Sequence, residues 1–329
     1  MIVPPPAVLT GHTAAVYALA RWRGGVLSGG GDGRLAYWAP PYSTGGSPAD
    51  GKLVAELDDR IFCIEAPGGD HDGQLVLGTL TGDLYWVDVN ATAAPRRWRL
   101  HRDGLFGLCV AGEHVFAVGG GGRLSRWRLA DGGAEGSVAV DTVRLRSVAA
   151  LPGAGLLVVG TAAGDLHLVD PASLRTVDVY ERAHDNTIFE IAVADASADG
   201  GPDPGEGTDP GEGARLYTCG RDGAIRSWTW AGGALRQNGH APAHAATVNA
   251  LALGGPGLLA SAGRDREVRL WDVSDGRLVL AKALQAQRDR GHAHSVNACR
   301  WVGPGTLATA GDDRTVRVWQ VPTYLRSPP

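Results

Sequence analysis

Four times along this 329-residue chain a histidine, a hydroxyl and an aspartate recur in the same order, each set followed by a tryptophan. The sets are His12, Ser28, Asp32, Trp38; His184, Thr218, Asp222, Trp228; His244, Ser261, Asp265, Trp271; and His292, Thr309, Asp313, Trp319. A hydroxyl, an imidazole and a carboxylate are the parts of a nucleophilic acyl-transfer site, in which the imidazole takes the hydroxyl proton and the carboxylate orients the ring. That chemistry also needs a sharp Gly-x-Ser-x-Gly turn between strand and helix and an oxyanion hole. The chain has no such turn, and each hydroxyl sits inside a strand-like run. We therefore expect no catalytic residue and no enzyme activity. Metal chemistry fares no better. His240 with His244, and His292 with His294, are near neighbours, but no cysteine or second carboxylate cluster accompanies them. Cys63, Cys109, Cys219 and Cys299 occur singly in apolar runs, without Cys-x-x-Cys spacing, and read as reduced core residues. No metal and no cofactor is expected.

The elements that hold these sets follow from internal repetition. GHTAAVYALARWRGGVLSGGGDGRLAYW (11–38), AHAATVNALALGGPGLLASAGRDREVRLW (243–271) and GHAHSVNACRWVGPGTLATAGDDRTVRVW (291–319) align along their length. Each runs from a histidine through an alternating strand, a turn, a strand of small residues and an aspartate turn to a strand ending in tryptophan. Weaker copies end at LYWVD (84–88), LSRW (124–127), LHLVD (166–170) and IRSW (225–228), which places the tryptophan position at 38, 87, 127, 169, 228, 271 and 319. Forty-nine glycines and ten tryptophans against one methionine agree with many short strands joined by tight turns.

The multi-part motif resembles WD-repeat proteins, and the resemblance covers essentially the whole chain. It implies an all-β fold: one domain over 1–329, a seven-bladed β-propeller of four-stranded antiparallel blades. Residues 5–10 are then the strand that closes the last blade, beside Trp319, and ring closure removes open sheet edges. The stretch 194–214 carries six acids and no base, without a large apolar residue. It is expected to be a disordered acidic insertion on the bottom face, between the first two strands of blade five. Residues 41–52 read as a shorter bottom linker and 322–329 as a tail.

By the same resemblance, each set becomes a buried hydrogen-bonded network inside one blade. The removal of one member then costs about 1–3 kcal/mol. Blades two to four depart from the pattern: their aspartate positions hold Thr81, Gly121 and Ala163, and their hydroxyl positions hold Leu77, Ala117 and Val159. Only blade three keeps the histidine, His101, so these blades are expected to lean on apolar packing. Such propellers commonly bind partners on the narrow top face, and the residue after the apolar start of each inner strand projects there. This gives Tyr17, Phe62, Phe106, Arg146, Phe189, Asn249 and Asn297. Three of the four phenylalanines fall at this one position, and the fourth, Phe116, reads as core. Arg221, Arg264 and Arg288 add a basic side to the same rim.

The expected function is thus a non-catalytic scaffold that binds a partner protein or peptide around the channel, through an apolar anchor beside acidic residues. Two other readings fare less well. An enzyme on a propeller, lactonase-like or quinoprotein-like, needs acidic or histidine ligands at the channel, and this ring has none. A single-stranded nucleic-acid binder can stack bases on aromatics, but a net charge of −4 supplies no basic groove. The N-terminus shows no signal-peptide pattern, and no run approaches the roughly 18 apolar residues of a membrane span. A cytoplasmic monomer is expected. The Gly/Ala/Arg-rich composition resembles that of stand-alone bacterial WD-repeat proteins.

Overall fold

The computed structural model describes residues 2–42, 51–91, 93–99, 101–194, 213–255, 257–274 and 276–322. Among them are seven sheets, each of four antiparallel strands. Blade one is Val16–Trp22, Gly25–Gly30, Arg34–Trp38 and Lys52–Glu56, from the channel outward. Blades two to six repeat that order from inner strands starting at Ile61, Leu105, Leu145, Ile188 and Val248. Blade seven combines Val296–Gly303, Thr306–Gly311 and Thr315–Gln320 with Ala7–Thr10 from the other end of the chain.

That closure has a defined register, with Ala7 opposite Val318 and Thr10 opposite Thr315. Alternation decides which face it seals. Ala7 and Leu9 are buried between blades seven and one, while Val8 and Thr10 point outward.

Burial follows a strand's distance from the channel. The second strand of blade one, GVLSGG, is buried at every position, as is LLASAG in blade six. Neighbouring blades cover both faces of such a strand, so small and apolar residues run on without alternation. Outer strands have one free edge and are far more exposed; in Thr176–Tyr180 only Tyr180 is even half-buried. The core is correspondingly divided into seven apolar clusters, each wedged between consecutive blades. Phe116 belongs to the cluster between blades three and four.

The positions 195–212 of the acidic insertion, 43–50 of the linker and 323–329 of the tail lie outside the described residues. Ala194 and Arg215 end and begin the first two strands of blade five, so the insertion does join those strands. No helix among the described residues is long and apolar enough to cross a membrane.

Candidate interaction site on the top face

The structure brings each of the four histidine-containing sets together. In blade one the Trp38 indole N–H donates to Ser28 Oγ at 2.8 Å, and Ser28 Oγ lies 2.8 Å from His12 Nε2. His12 Nδ1 lies 3.1 Å from the Asp32 carboxylate. With a neutral imidazole, one proton order satisfies all three links: Trp N–H to hydroxyl, hydroxyl O–H to Nε2, and Nδ1–H to carboxylate. The same chain of bonds runs through Trp228, Thr218, His184 and Asp222 at 2.9, 2.8 and 3.0 Å. It recurs at 2.9, 2.8 and 2.9 Å through Trp271, Ser261, His244 and Asp265. Trp319, Thr309, His292 and Asp313 repeat it at 2.9, 2.9 and 3.0 Å.

Each hydroxyl residue is fully buried, so a substrate carbonyl has no line of approach to it. Each aspartate also receives two backbone N–H bonds, from the residue after the histidine and from the residue two places after itself; Asp313 takes those of Ala293 and Thr315 at 3.2 Å. Burial opposes ionisation, but these bonds and the facing imidazoles win, and Asp222 and Asp313 are held well below the ordinary carboxylate range. Burial correspondingly lowers His184 and His292, keeping them neutral.

Blades two to four have Leu77, Ala117 and Val159 fully buried at the hydroxyl position, but apolar packing is only part of what they use. Blade three keeps a hydroxyl link that the repeat alignment misses. Ser125, on the third strand, receives the Trp127 N–H at 2.9 Å and lies 2.9 Å from His101 Nε2. Ser125 is the cross-strand partner of Ala117, just as Ala36 is of Ser28. The hydroxyl has moved one strand outward and the alanine one strand inward. The clue was present in LSRW, since residues two apart in a strand share a face. Gly121 supplies no carboxylate, so His101 Nδ1 is buried without a partner, and burial drives the ring down to about 4.

Blade four reverses the pair. Asp141 stands four residues before the inner strand, where His12 stands in blade one, and His167 on the third strand meets it at 3.1 Å. Blade two has neither. Its buried Asp83 is held by Arg97 and Arg99, and Trp86 donates to Gln74 at 2.8 Å.

At the channel mouth, Tyr17, Phe62, Phe106, Arg146, Phe189, Asn249 and Asn297 line one funnel of about 290 Å³. Every one of them is the extra residue of a β-bulge between the first two strands of its blade. A bulge leaves one residue out of the ladder and re-aims its side chain, which explains how seven separated positions come to share one opening.

Tyr17 stacks on Phe62 at 4.7 Å, and Phe62 meets Phe106 edge-on at 5.9 Å. Arg146 lies over Phe106 at 3.9 Å and over Phe189 at 4.9 Å, a cation held between two phenyl faces. The asparagines are tied across blades: Asn249 donates to Val296 O at 2.8 Å and Asn297 to Val16 O at 3.1 Å. Glu65, Glu190 and Arg300 line the same funnel. Loss of water pushes Glu65 up to about 7 against the pull of Arg300, and raises Glu190 for the same reason.

The three rim arginines differ. Arg221 and Arg264 are exposed in the turns between second and third strands of blades five and six. Arg288 is exposed as well, on the short helix Ala286–Asp289, and bonds to the neighbouring Asp289 at 3.3 Å and to Ala283 O at 3.0 Å. The four cysteines are free thiols; burial raises all of them, Cys299 to about 12. Among the described residues no group of three His, Cys, Asp or Glu side chains is placed to hold a metal.

Comparison with known proteins agrees with this architecture. The family model described as "WD domain, G-beta repeat" matches residues 236–272 and 285–320. Among solved structures, the chain is similar to the WD40 β-propeller domain of Doa1, with a TM-score of 0.77 over 99% of each chain at 16% identity. No curated protein matches it. The chain folds as a seven-bladed β-propeller, and residues 236–272 and 285–320 match the WD40 repeat model.

Proposed function

We propose that this propeller is a non-catalytic scaffold that holds a partner protein or peptide on its top face, around the channel mouth. The observation that carries the proposal is the bulge ring. Three phenylalanines, a tyrosine and an arginine are all lifted out of their ladders toward one opening, and this composition matches that of interface hot spots. A WD40 propeller is commonly a protein-interaction scaffold, and the enclosure of all four set hydroxyls supports a role without chemistry. The apolar rings beside Arg146 suit a segment with an apolar anchor next to acidic residues. Four cysteines without a disulfide among them and the Gly/Ala/Arg-rich composition support a reduced, bacterial cytoplasmic setting.

The test is affinity capture from the native cell with the wild type and with Phe62→Ala/Phe106→Ala/Phe189→Ala, with the fold of both checked by melting. Partners held by the wild type are expected to be lost from the variant. Retention of every partner would remove the top-face site.

A further inference from the structure

We infer that the top face takes an acidic peptide segment, with one carboxylate seated on Arg146 and its neighbours running over an arc of arginines on blades five to seven. The inference rests on the top-face reading above and specifies what that face recognises.

Arg146 is a cation without a counter-ion. Its Nε is buried with no acceptor, and no hydrogen bond or ion pair among the described residues reaches its guanidinium. The phenyl rings of Phe106 and Phe189 cover its faces. They fix its plane and leave only its edge, the part that pairs with a carboxylate through two parallel N–H bonds. The funnel's own carboxylates do not fill that place: among the described residues no hydrogen bond or ion pair joins Glu65 or Glu190 to Arg146. An unpaired guanidinium in a partly dry funnel is a site awaiting an anion.

The second observation is independent. Arg221, Arg264, Arg266, Arg290 and Arg314 are exposed on successive loops of blades five, six and seven, and none has a side-chain partner among the described residues. Two of them are not needed by the backbone. Arg266 and Arg314 occupy the left-handed position of their turns, with φ of 74° and 64°. The other five blades put glycine there: Gly33, Gly82, Gly122, Gly164 and Gly223. Glycine meets the demand of that turn without strain, so the arginines add charge and not conformation.

A peptide fits better than a nucleic acid. Stacking of successive bases needs a series of free aromatic faces, whereas one face each of Tyr17 and Phe62 is used by their mutual stack and one each of Phe106 and Phe189 by Arg146.

The probe is a short labelled peptide of glutamates around one phenylalanine, titrated at low and moderate salt. Controls are its glutamine counterpart and an oligothymidylate of equal charge. The wild type is expected to prefer the glutamate peptide, with affinity falling as salt rises. Arg146→Met keeps the apolar stem between the rings; it should lower affinity about tenfold or more while leaving the melting temperature unchanged or higher. Arg266→Gly/Arg314→Gly should flatten the salt dependence without loss of stability.

Three results would overturn the inference. They are equal binding of the glutamine peptide, tighter binding of the oligothymidylate with the same Arg146 dependence, and a destabilised Arg146→Met that still binds normally. Any of these leaves the top-face reading intact if the phenylalanine variant still loses its captured partners.

Discussion

Blades seven and three hold the same tryptophan and the same histidine by different routes. In blade seven the linking hydroxyl is Thr309 on the second strand, and Asp313 anchors the far side of the imidazole. In blade three the hydroxyl is Ser125 on the third strand, and His101 Nδ1 ends without a partner. The linking oxygen can therefore come from either of two facing positions, because cross-strand partners on one face are close enough to exchange an atom. The carboxylate is the part that blade three lacks. What these two blades share is thus the geometry of a satisfied indole N–H and imidazole Nε2, and not the residue that supplies the linking oxygen.

The largest expected effect concerns what blade seven needs and blade three does not, a strand from the far end of the chain. Deletion of residues 1–10 uncovers the edge of Thr315–Gln320 and the apolar cluster beneath Ala7 and Leu9. Thermal melting should fall by more than about 10 °C, or lose its cooperativity. A melt identical to that of the full chain would break the closure model.

An intermediate effect tests the exchange of hydroxyls directly. Thr309→Val strands the Trp319 N–H and His292 Nε2 inside the core and should cost about 1–3 kcal/mol in denaturant unfolding. Ser125→Ala should do the same to Trp127 and His101. Adding Ala117→Ser to Ser125→Ala returns the oxygen to the second strand and should recover at least half of the loss. No recovery would mean that the two positions are not interchangeable and that blade three is a separate solution.

The smallest effect is in pH. His101 is held near 4 in the folded chain, below its ordinary value of 6.5. A depressed histidine contributes stability above its unfolded value that drains away as pH falls through the folded one. The melting temperature should therefore drop between pH 6.5 and 4. His101→Gln should show a shallower drop over that window, by about 1–2 °C. Parallel curves for the two proteins would show that the lone imidazole is not what acid attacks first.

Much of this was legible in the residues. The recurrence of His12, Ser28, Asp32 and Trp38 at three further places marks the strands and turns of four blades, and the weaker copies mark the rest. The period-two rule then picks the side chains that share a face. The alignment errs where a residue type changes strand. It passes over Ser125 because it looks for a hydroxyl at position 117, and over Asp141 with His167 because the two types have traded places.

By itself, the sequence determined the number of blades, the strands and which residues each turn contains. These depend on local alternation, glycine turns and spacing, all of which are written along the chain. Only the tertiary structure decided which partners meet across it. The Ala7–Thr10 register against Thr315–Gln320, the bulges that turn seven side chains into one funnel and the seat of Arg146 between Phe106 and Phe189 are of this kind. Each sets atoms from separate strands, loops or blades at bonding distance, and that distance depends on strand register and blade packing, which no local pattern encodes.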